Sequence, residues 1–545
     1  MPNPHDTYTS PLAARNASPE MCKIWSPRHK FTTWRKIWLA VAEAQQACGL
    51  DISDEQLDEM RSTLEVTDED MESAAKYERE LRHDVMAHVH AWGDRCPKAR
   101  PIIHLGCTSQ DVVCNADLLC LGQSIGLIQS KCARAIVALS EEAEQRINIP
   151  TLGFTHYQAA QPTTVGRRLA GYAYDIWYAM QRLRPPHNGM DFLLRGFRGA
   201  TGTQASFLQL FQGDHDRVER FQGEAVFRLR KMFGMESSGS FQDWIEKQEE
   251  MDQRSDDLFS KELQGIVEDV LELSEGELAL PRSNTPPLDV YMQQTTYALT
   301  GQTYPRVFDS MVLADLASVA SVLHKIATDI RLLSNRKEID EPFGKSQIGS
   351  SAMPYKRNPM KCERICGLTR FVMNLVGNAY DTAATQWLER TLDDSSNRRL
   401  SLPEAFLALD GALDLMHTVA SGLIVNEAMV KRNLMAELPF MATENIMMEA
   451  VKLGRDRQDV HEAIRVLSHE AGYVVKQEGK DNDLLERLKS EPLLEGVDID
   501  AHLDPMQYVG RSVEQTERFI KEVVEPLRER YGDQLEALGS ADRGV

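Results

Sequence analysis

Gln347 to Pro359 reads QIGSSAMPYKRNP, and it gathers the residue types that acid–base chemistry beside a carboxylate requires. Gly349, Ser350 and Ser351 supply flexible backbone and hydroxyls, Lys356 a cation and Asn358 an amide, while Pro354 and Pro359 interrupt regular structure. Backbone N–H groups in a glycine-serine turn can receive a carboxylate, and a lysine can neutralise charge that develops on it. The stretch is therefore expected to be an active-site loop; the plainer alternative is a polar surface loop ahead of a helix that starts after Pro359. A second candidate is FTHYQAAQPTTVGRR, Phe154 to Arg168, where His156 is flanked by Thr155, Gln158 and Thr163 just before an expected helix. An imidazole titrates near ~6.5 and can pass a proton either way near neutral pH, although a lone histidine is more often structural.

Two further clusters carry charge. LRHDVMAHVHAW sets Arg82, His83 and Asp84 together, with His88 and His90 nearby. Their spacing is not the i, i+4 pair of a helical zinc site, and His461 and His469 form no HExxH, so no metal is expected. ERTLDDSSNRR, Glu389 to Arg399, gathers Arg390, Asp393, Asp394, Ser395, Arg398 and Arg399. Guanidinium forks grip phosphate or carboxylate with paired bonds, so this is a place to hold an anion, unless it is only a salt-bridged helix turn. No P-loop, no GxGxxG after a strand and no GxSxG elbow occurs, which favours chemistry without a cofactor.

Helices are expected to position these residues. Phe308, Val312, Leu316, Val319, Leu323, Ile326, Ile330 and Leu333 recur at spacings of three and four, one buried stripe of a long helix. Similar patterning spans Leu118 to Arg146, Thr164 to Leu183, Pro403 to Leu423 and Val513 to Tyr531, whereas strand-like alternation is scarce. Long helices without sheet partners bury their stripes against one another, so an all-α bundle is expected, completed by symmetric oligomerisation.

Composition narrows the class further. The 545 residues hold 61 Lys+Arg against 82 Asp+Glu, a net charge of −21, which lacks the basic footprint of a nucleic-acid binder. Nine cysteines without paired CxxC motifs fit reduced thiols rather than a disulfide framework. With no apolar leader at the amino terminus and no long uncharged apolar run, a soluble cytoplasmic protein is expected, with no membrane partner. One segment differs from the rest: between Glu236 and Glu277 fourteen Asp/Glu stand against Lys247, Arg254 and Lys261, a local net of −11, followed by LPRSNTPPLD. It reads as an acidic, partly helical surface insertion with a proline-rich exit.

GSSAMPYKRNP is very similar to the signature loop of the fumarase/aspartase superfamily. SPLAARNASPEM, LRHDVMAHVHAW, IHLGCTSQDV, LGFTHYQAAQPTTVGRR, TGTQASFLQLFQGDH, LTGQTYPR, ERTLDDSSNRR and ELPFMATENI, in that order from Ser10 to Ile446, together resemble the adenylosuccinate lyase family of eukaryotic type. The resemblance implies a fumarase/aspartase-like long-helix bundle, a homotetramer with a central helical core and active sites shared between three subunits. It implies three domains per chain: residues 1–111, N-terminal and helical; 112–425, the central bundle with the acidic insertion at about 235–290; and 426–545, C-terminal and helical. It also implies two cofactor-free eliminations of fumarate, from adenylosuccinate to give AMP and from SAICAR to give AICAR.

Carried over by motif, Ser350 is the base that removes the Cβ proton and His156 the acid that protonates the leaving nitrogen. Lys356 and Asn358 steady the succinyl carboxylate, and His83 joins this catalytic set. Arg82, Asp84, Thr108, Ser109, Gln204, Ser351, Arg364, Arg390, Ser395 and Arg399 are implied substrate contacts, with Arg15 and Asn16 at the nucleotide. The chain departs from the family twice: Asn16 stands where an aromatic usually follows Ser-Arg, and the acidic insertion has no counterpart. The alternatives are another fumarate-releasing lyase, such as argininosuccinate lyase, or an inactive structural homologue.

Overall fold

The computed structural model describes residues 6–183, 193–235, 239–243, 292 and 295–539, so the acidic insertion expected at about 235–290 lies almost wholly outside the described residues. The chain is mostly helical. A short π turn, Leu12–Asn16, precedes α1 (Pro19–Ile24), α2 (Pro27–Ala47), α3 (Asp54–Ser62), α4 (Asp68–Leu81) and α5 (Asp84–Arg95). The central helices follow, all of them long except α8: α6 (Ser109–Gln145), α7 (Val165–Met180), α8 (Ala205–Leu210), α9 (His215–Met232), α10 (Val307–Asn335), α11 (Met360–Ala384) and α12 (Asp393–Ser421). After them come α13 (Glu427–Lys452), α14 (Arg457–Tyr473), α15 (Leu484–Lys489), α16 (Ser512–Phe519) and α17 (Glu525–Leu538).

The stripe expected from Phe308 to Leu333 lies on α10, and all eight of its residues are buried. α6 buries Cys114, Leu118, Leu121, Ile128, Cys132, Ile136 and Leu139 in the same way, at helical spacing. By length and composition α6 and α10 could each cross a membrane, but 61% and 50% of their most apolar windows are buried inside this core. One hydrophobic core runs from Leu12 to Val430 and takes in Val524, Leu527 and Tyr531 from the end of the chain. A second cluster lies between Ala442 and Ile499.

Three local features differ from the expected pattern. The segment before α7 is an antiparallel hairpin of β1 (Pro150–Thr155) and β2 (Gln158–Thr164), which weak alternation had hidden. A two-residue pair, β3 (Ile339–Asp340) with β4 (Ile424–Val425), joins the end of α10 to the start of α13. The helix expected from Pro403 begins ten residues earlier at Asp393, with Pro403 inside it.

Buried charge ties distant segments together. Lys131 Nζ on α6 lies 2.5 Å from Asp410 and 2.8 Å from Asp414 on α12, and Arg134 Nη2 lies 2.6 Å from Asp414. Asp410 also accepts the backbone N–H of Ser18 at 2.6 Å and its hydroxyl at 3.0 Å, which pins the N-terminal segment onto α12. The other end of the chain is held by Arg134, whose Nη1 donates to the carbonyls of Leu538 and Gly539 at 3.3 and 3.4 Å. These are the carbonyls that the end of α17 leaves without helical donors.

Candidate active site

The candidate residues fall into several clusters. The first cluster lies where α5, α6 and α12 begin or pass. His83 is the N-cap of α5: its Nδ1 accepts the backbone N–H of Met86 at 3.3 Å, which leaves Nε2 as the protonated nitrogen, 3.3 Å from Ser109 Oγ. Asp84 accepts from Arg399 Nη2 at 2.8 Å, so α12 reaches across to the same place. Arg82 sits between α4 and α5 in the left-handed region, φ 54°, which turns the chain sharply between the two helices. Thr108 caps α6, its N–H bonded to Asp111 at 2.7 Å, a T-x-x-D capping spacing.

The second cluster is the signature loop. It forms turns ahead of α11, as its prolines require. Ser350 Oγ accepts the backbone N–H groups of Ala352 at 3.3 Å and Met353 at 3.1 Å, so two dipoles already favour negative charge on that oxygen. Asn358 donates to the Gly349 carbonyl at 2.8 Å and closes the loop. Gly349 is obligatory there, because a Cβ would lie 2.1 Å from the Lys356 carbonyl. Ser351 and Lys356 are exposed.

Beside this loop two guanidiniums, Arg15 and Arg364, lie near each other. Burial, followed by the positive charge of Arg15, lowers the Arg364 pKa, and neither residue makes an ion pair among the described residues. The Glu341 carboxylate offsets part of that repulsion, and two guanidiniums this close together favour an anionic ligand. Asn16 donates its side chain to the Pro11 carbonyl at 2.8 Å, and its own carbonyl packs on Gly411, where a Cβ would approach to 2.6 Å. Arg15 and Asn16 are thus seated directly on α12.

His156 stands by itself. With Tyr157 it forms the tip of the β1–β2 hairpin, at φ 54° and 57°, the paired left-handed conformation of a tight two-residue turn that usually takes Asn or Gly. The expected position just before a helix is corrected: the helix starts only at Val165. An exposed histidine and tyrosine held in this conformation point to a use for the side chains beyond packing.

ERTLDDSSNRR divides. Arg390 bonds Asp394 at 2.5 Å and Ser395 Oγ at 2.9 Å, and Asp394, fully buried, also takes Arg306 Nε at 2.7 Å. Burial opposes ionisation of Asp394, but Arg306 and Arg390 outweigh it and hold the carboxyl below its ordinary range. Arg398 is committed to Asp309 at 2.6 Å, Asp117 at 3.0 Å and the hydroxyl of Tyr304. Here the salt-bridged reading holds for Arg398, while Arg399 next to it is exposed. Gln204, at φ 58°, spends its amide on the Phe197 carbonyl at 3.0 Å and on Gln222 at 2.8 Å. Two residues with no assigned role organise this region, Asp111 and Arg195, joined at 2.5 Å and fully enclosed. The TSQD spacing was the visible signal for Asp111; nothing in the sequence marks Arg195.

Among the described residues no hydrogen bond or ion pair joins His156, His83 and Ser350 to one another, and no group of three His, Cys, Asp or Glu is arranged to hold a metal.

The architecture is that of the fumarase/aspartase lyases. The fold superposes with a TM-score of 0.69 on a fumarate lyase from Mesorhizobium sp. BNC1, at 19% identity, covering 95% of this chain and all of that one. It superposes equally, at 0.69 and 21% identity over 96% of this chain and 100% of the other, on 3-carboxy-cis,cis-muconate lactonizing enzyme from Pseudomonas putida. A general lyase model matches residues 15–209 and 291–374, and a model described as adenylosuccinate lyase C-terminus matches 439–519. The chain is 42% identical to adenylosuccinate lyase of Saccharomyces cerevisiae and 43% identical to that of Schizosaccharomyces pombe, each over 95% of both chains. Adenylosuccinate lyase of Pyrococcus abyssi is 28% identical over 95% of this chain and 98% of its own. The chain belongs to the adenylosuccinate lyase family.

Proposed function

We propose that the chain eliminates fumarate from adenylosuccinate, leaving AMP, and from SAICAR, leaving AICAR, without a cofactor. The observation that carries the reading is the identity of 42–43% to two adenylosuccinate lyases, sustained over 95% of the chain. In the reaction Ser350 Oγ takes the Cβ proton of the succinyl group, the C–N bond breaks with its electron pair going to nitrogen, and His156 protonates that nitrogen. A serine hydroxyl is a weak base, and the two N–H groups that Ala352 and Met353 direct at Ser350 Oγ are what an alkoxide there needs. Lys356 and Asn358 meet the succinyl carboxylate as it gains charge, with Ser351 beside them. His83, Arg82, Asp84, Thr108, Ser109, Gln204, Arg390, Ser395 and Arg399 hold the rest of the substrate, and Arg15, Asn16 and Arg364 its anionic end.

The reading includes a homotetramer whose sites are shared between subunits. Its support is twofold: among the described residues no hydrogen bond or ion pair joins the acid to the base, and the long helices carry exposed apolar side chains, Tyr178 (65%) on α7, Met311 (49%) on α10 and Tyr380 (52%) on α11. It also includes a cytoplasmic location and small molecules as the ligands, with neither nucleic acid nor membrane as partner, in keeping with the net charge of −21. The test is the ultraviolet absorbance change on mixing purified protein with adenylosuccinate, SAICAR or argininosuccinate. Turnover of the two purine substrates alone is expected; turnover of argininosuccinate, or of none by a folded protein, defeats the reading.

A further inference from the structure

Three of the segments proposed to hold substrate are far apart in sequence, yet one enclosed ion pair bonds the backbone beside two of them and reaches the third through Gly301 and Glu389. Asp111 and Arg195 are both 0% exposed, with Oδ1 and Nη1 2.5 Å apart. The same Oδ1 accepts the backbone N–H groups of Arg198 at 2.8 Å and Gly199 at 3.1 Å, while Oδ2 accepts that of Thr108 at 2.7 Å. Arg195 directs Nη2 at the carbonyls of Gly199, 2.9 Å, and Gly301, 3.0 Å. Gly301 lies against Glu389, where a Cβ would come within 2.9 Å of the carbonyl oxygen, and the Gln302 N–H bonds that same oxygen at 3.0 Å. The Gln204 N–H bonds the Arg198 carbonyl at 2.9 Å. A parallel tie comes from Asn115 on α6, whose amide bonds both the carbonyl and the N–H of Gly196, at 3.1 and 3.2 Å.

A buried ion pair is by itself weak evidence of stability, because the attraction is offset by the cost of removing two charges from water. What distinguishes this one is where its remaining capacity goes. A carboxylate offers about four lone-pair positions, and Asp111 fills its own with one guanidinium and three backbone donors from two separate stretches of chain. An amide in its place offers one oxygen and turns a donor toward donors. Neither side chain reaches solvent, so neither can touch substrate.

We infer that the Asp111–Arg195 pair is a positioning device that sets the spacing of the Thr108–Ser109, Gln204 and Arg390–Ser395 segments against one another, an inference that rests on the substrate reading above. One side of the pair fixes the start of α6 and the loop leading to Gln204. The other side fixes Gly301, and through Glu389 the approach to Arg390. Loss of the pair alters the fit to the whole substrate rather than to one group of it.

The test uses the full-length protein and compares wild type with Asp111→Asn and Arg195→Lys. KM and kcat are measured for adenylosuccinate, with competitive inhibition constants for AMP and fumarate, and melting is followed in parallel. Asp111→Asn is expected to raise KM and both inhibition constants together, by about tenfold or more, with kcat falling less. Arg195→Lys keeps a charge facing Asp111 but has no second nitrogen for Gly199 and Gly301, and is expected to show the same pattern at smaller size. Variants that melt lower while their folded fraction keeps wild-type KM and inhibition constants overturn the inference and leave the pair a purely structural one. Should Asp111→Asn be recovered unfolded, Arg195→Lys decides by the same criterion. A wild-type protein inert toward adenylosuccinate defeats the substrate reading, a result distinct from wild-type turnover with unmoved variant constants.

Discussion

The start of α12 and the signature loop are built on opposite plans. Around α12, Asp394 and Arg398 are buried, doubly or triply bonded and anchored to α6 and α10. In the loop, Ser350 rests on two backbone N–H groups, Asn358 holds one carbonyl, and most of the other side chains face solvent. The first region spends its charges on geometry and the second leaves them free for a ligand. A recognition surface needs a rigid base, whereas reacting groups need access and a cover that arrives later.

That contrast can be broken at four points. Ser350→Ala is expected to lower kcat by about 10²–10⁴-fold while the melting temperature stays close to wild type, since only two exposed turn bonds are lost. Single-turnover absorbance on the folded variant measures it, and an active variant removes Ser350 from the role of base. Arg398→Met should do the reverse. It leaves Asp309 and Asp117 without their guanidinium and is expected to destabilise by about 3–5 kcal/mol, read by urea unfolding.

A third point concerns pH. Burial, with Arg35 nearby, pushes the His88 pKa down to about 4, where the ring stacks on Phe31 at 3.7 Å. The unfolded chain then takes up a proton near pH 6.5 that the folded chain refuses until about pH 4, so stability rises with pH through that window and is lost as pH falls. Between pH 7.5 and 5 the contribution is about 2 kcal/mol, and His88→Gln should flatten the pH dependence of unfolding by that amount. The smallest structural effect is expected at Arg399. Its pair with Asp84 is exposed, so Arg399→Ala should cost less than about 1 kcal/mol of stability and yet raise KM for adenylosuccinate. A KM unchanged from wild type would place Arg399 with Arg398 as a structural residue.

The long helices were legible because burial repeats every three or four residues, as on α10, and each stripe reports directly where the core lies. The signature loop was legible because glycine, proline and serine announce turns on their own. The hairpin that carries His156 was not. Its strands are short, Gln158, Ala159 and Ala160 carry no alternation, and the turn uses two residues that are not the usual ones for it. Adjacent arginines defeated sequence reasoning for a different reason. Arg398 and Arg399 are identical in type and neighbours in the chain, and only the 100° step around α12 sends one into the core and the other outward. Arg195 belongs with them, since its partner lies 84 positions away.

The bond from Arg134 to the last carbonyls of α17 spans more than 400 residues of chain. α6 is made well before α16 and α17, which pack against it, so its flank stays open to solvent until residues 512–538 have been made. Contacts of such separation close slowly, because a long loop must be brought together before anything is gained. The late helices therefore tie the completion of the core to a distant part of the sequence, and a nascent polypeptide stalled short of Glu525 would lack Leu527 and Tyr531 from the core and present the flank of α6 around Gln129 and Arg134 as a surface for chaperones.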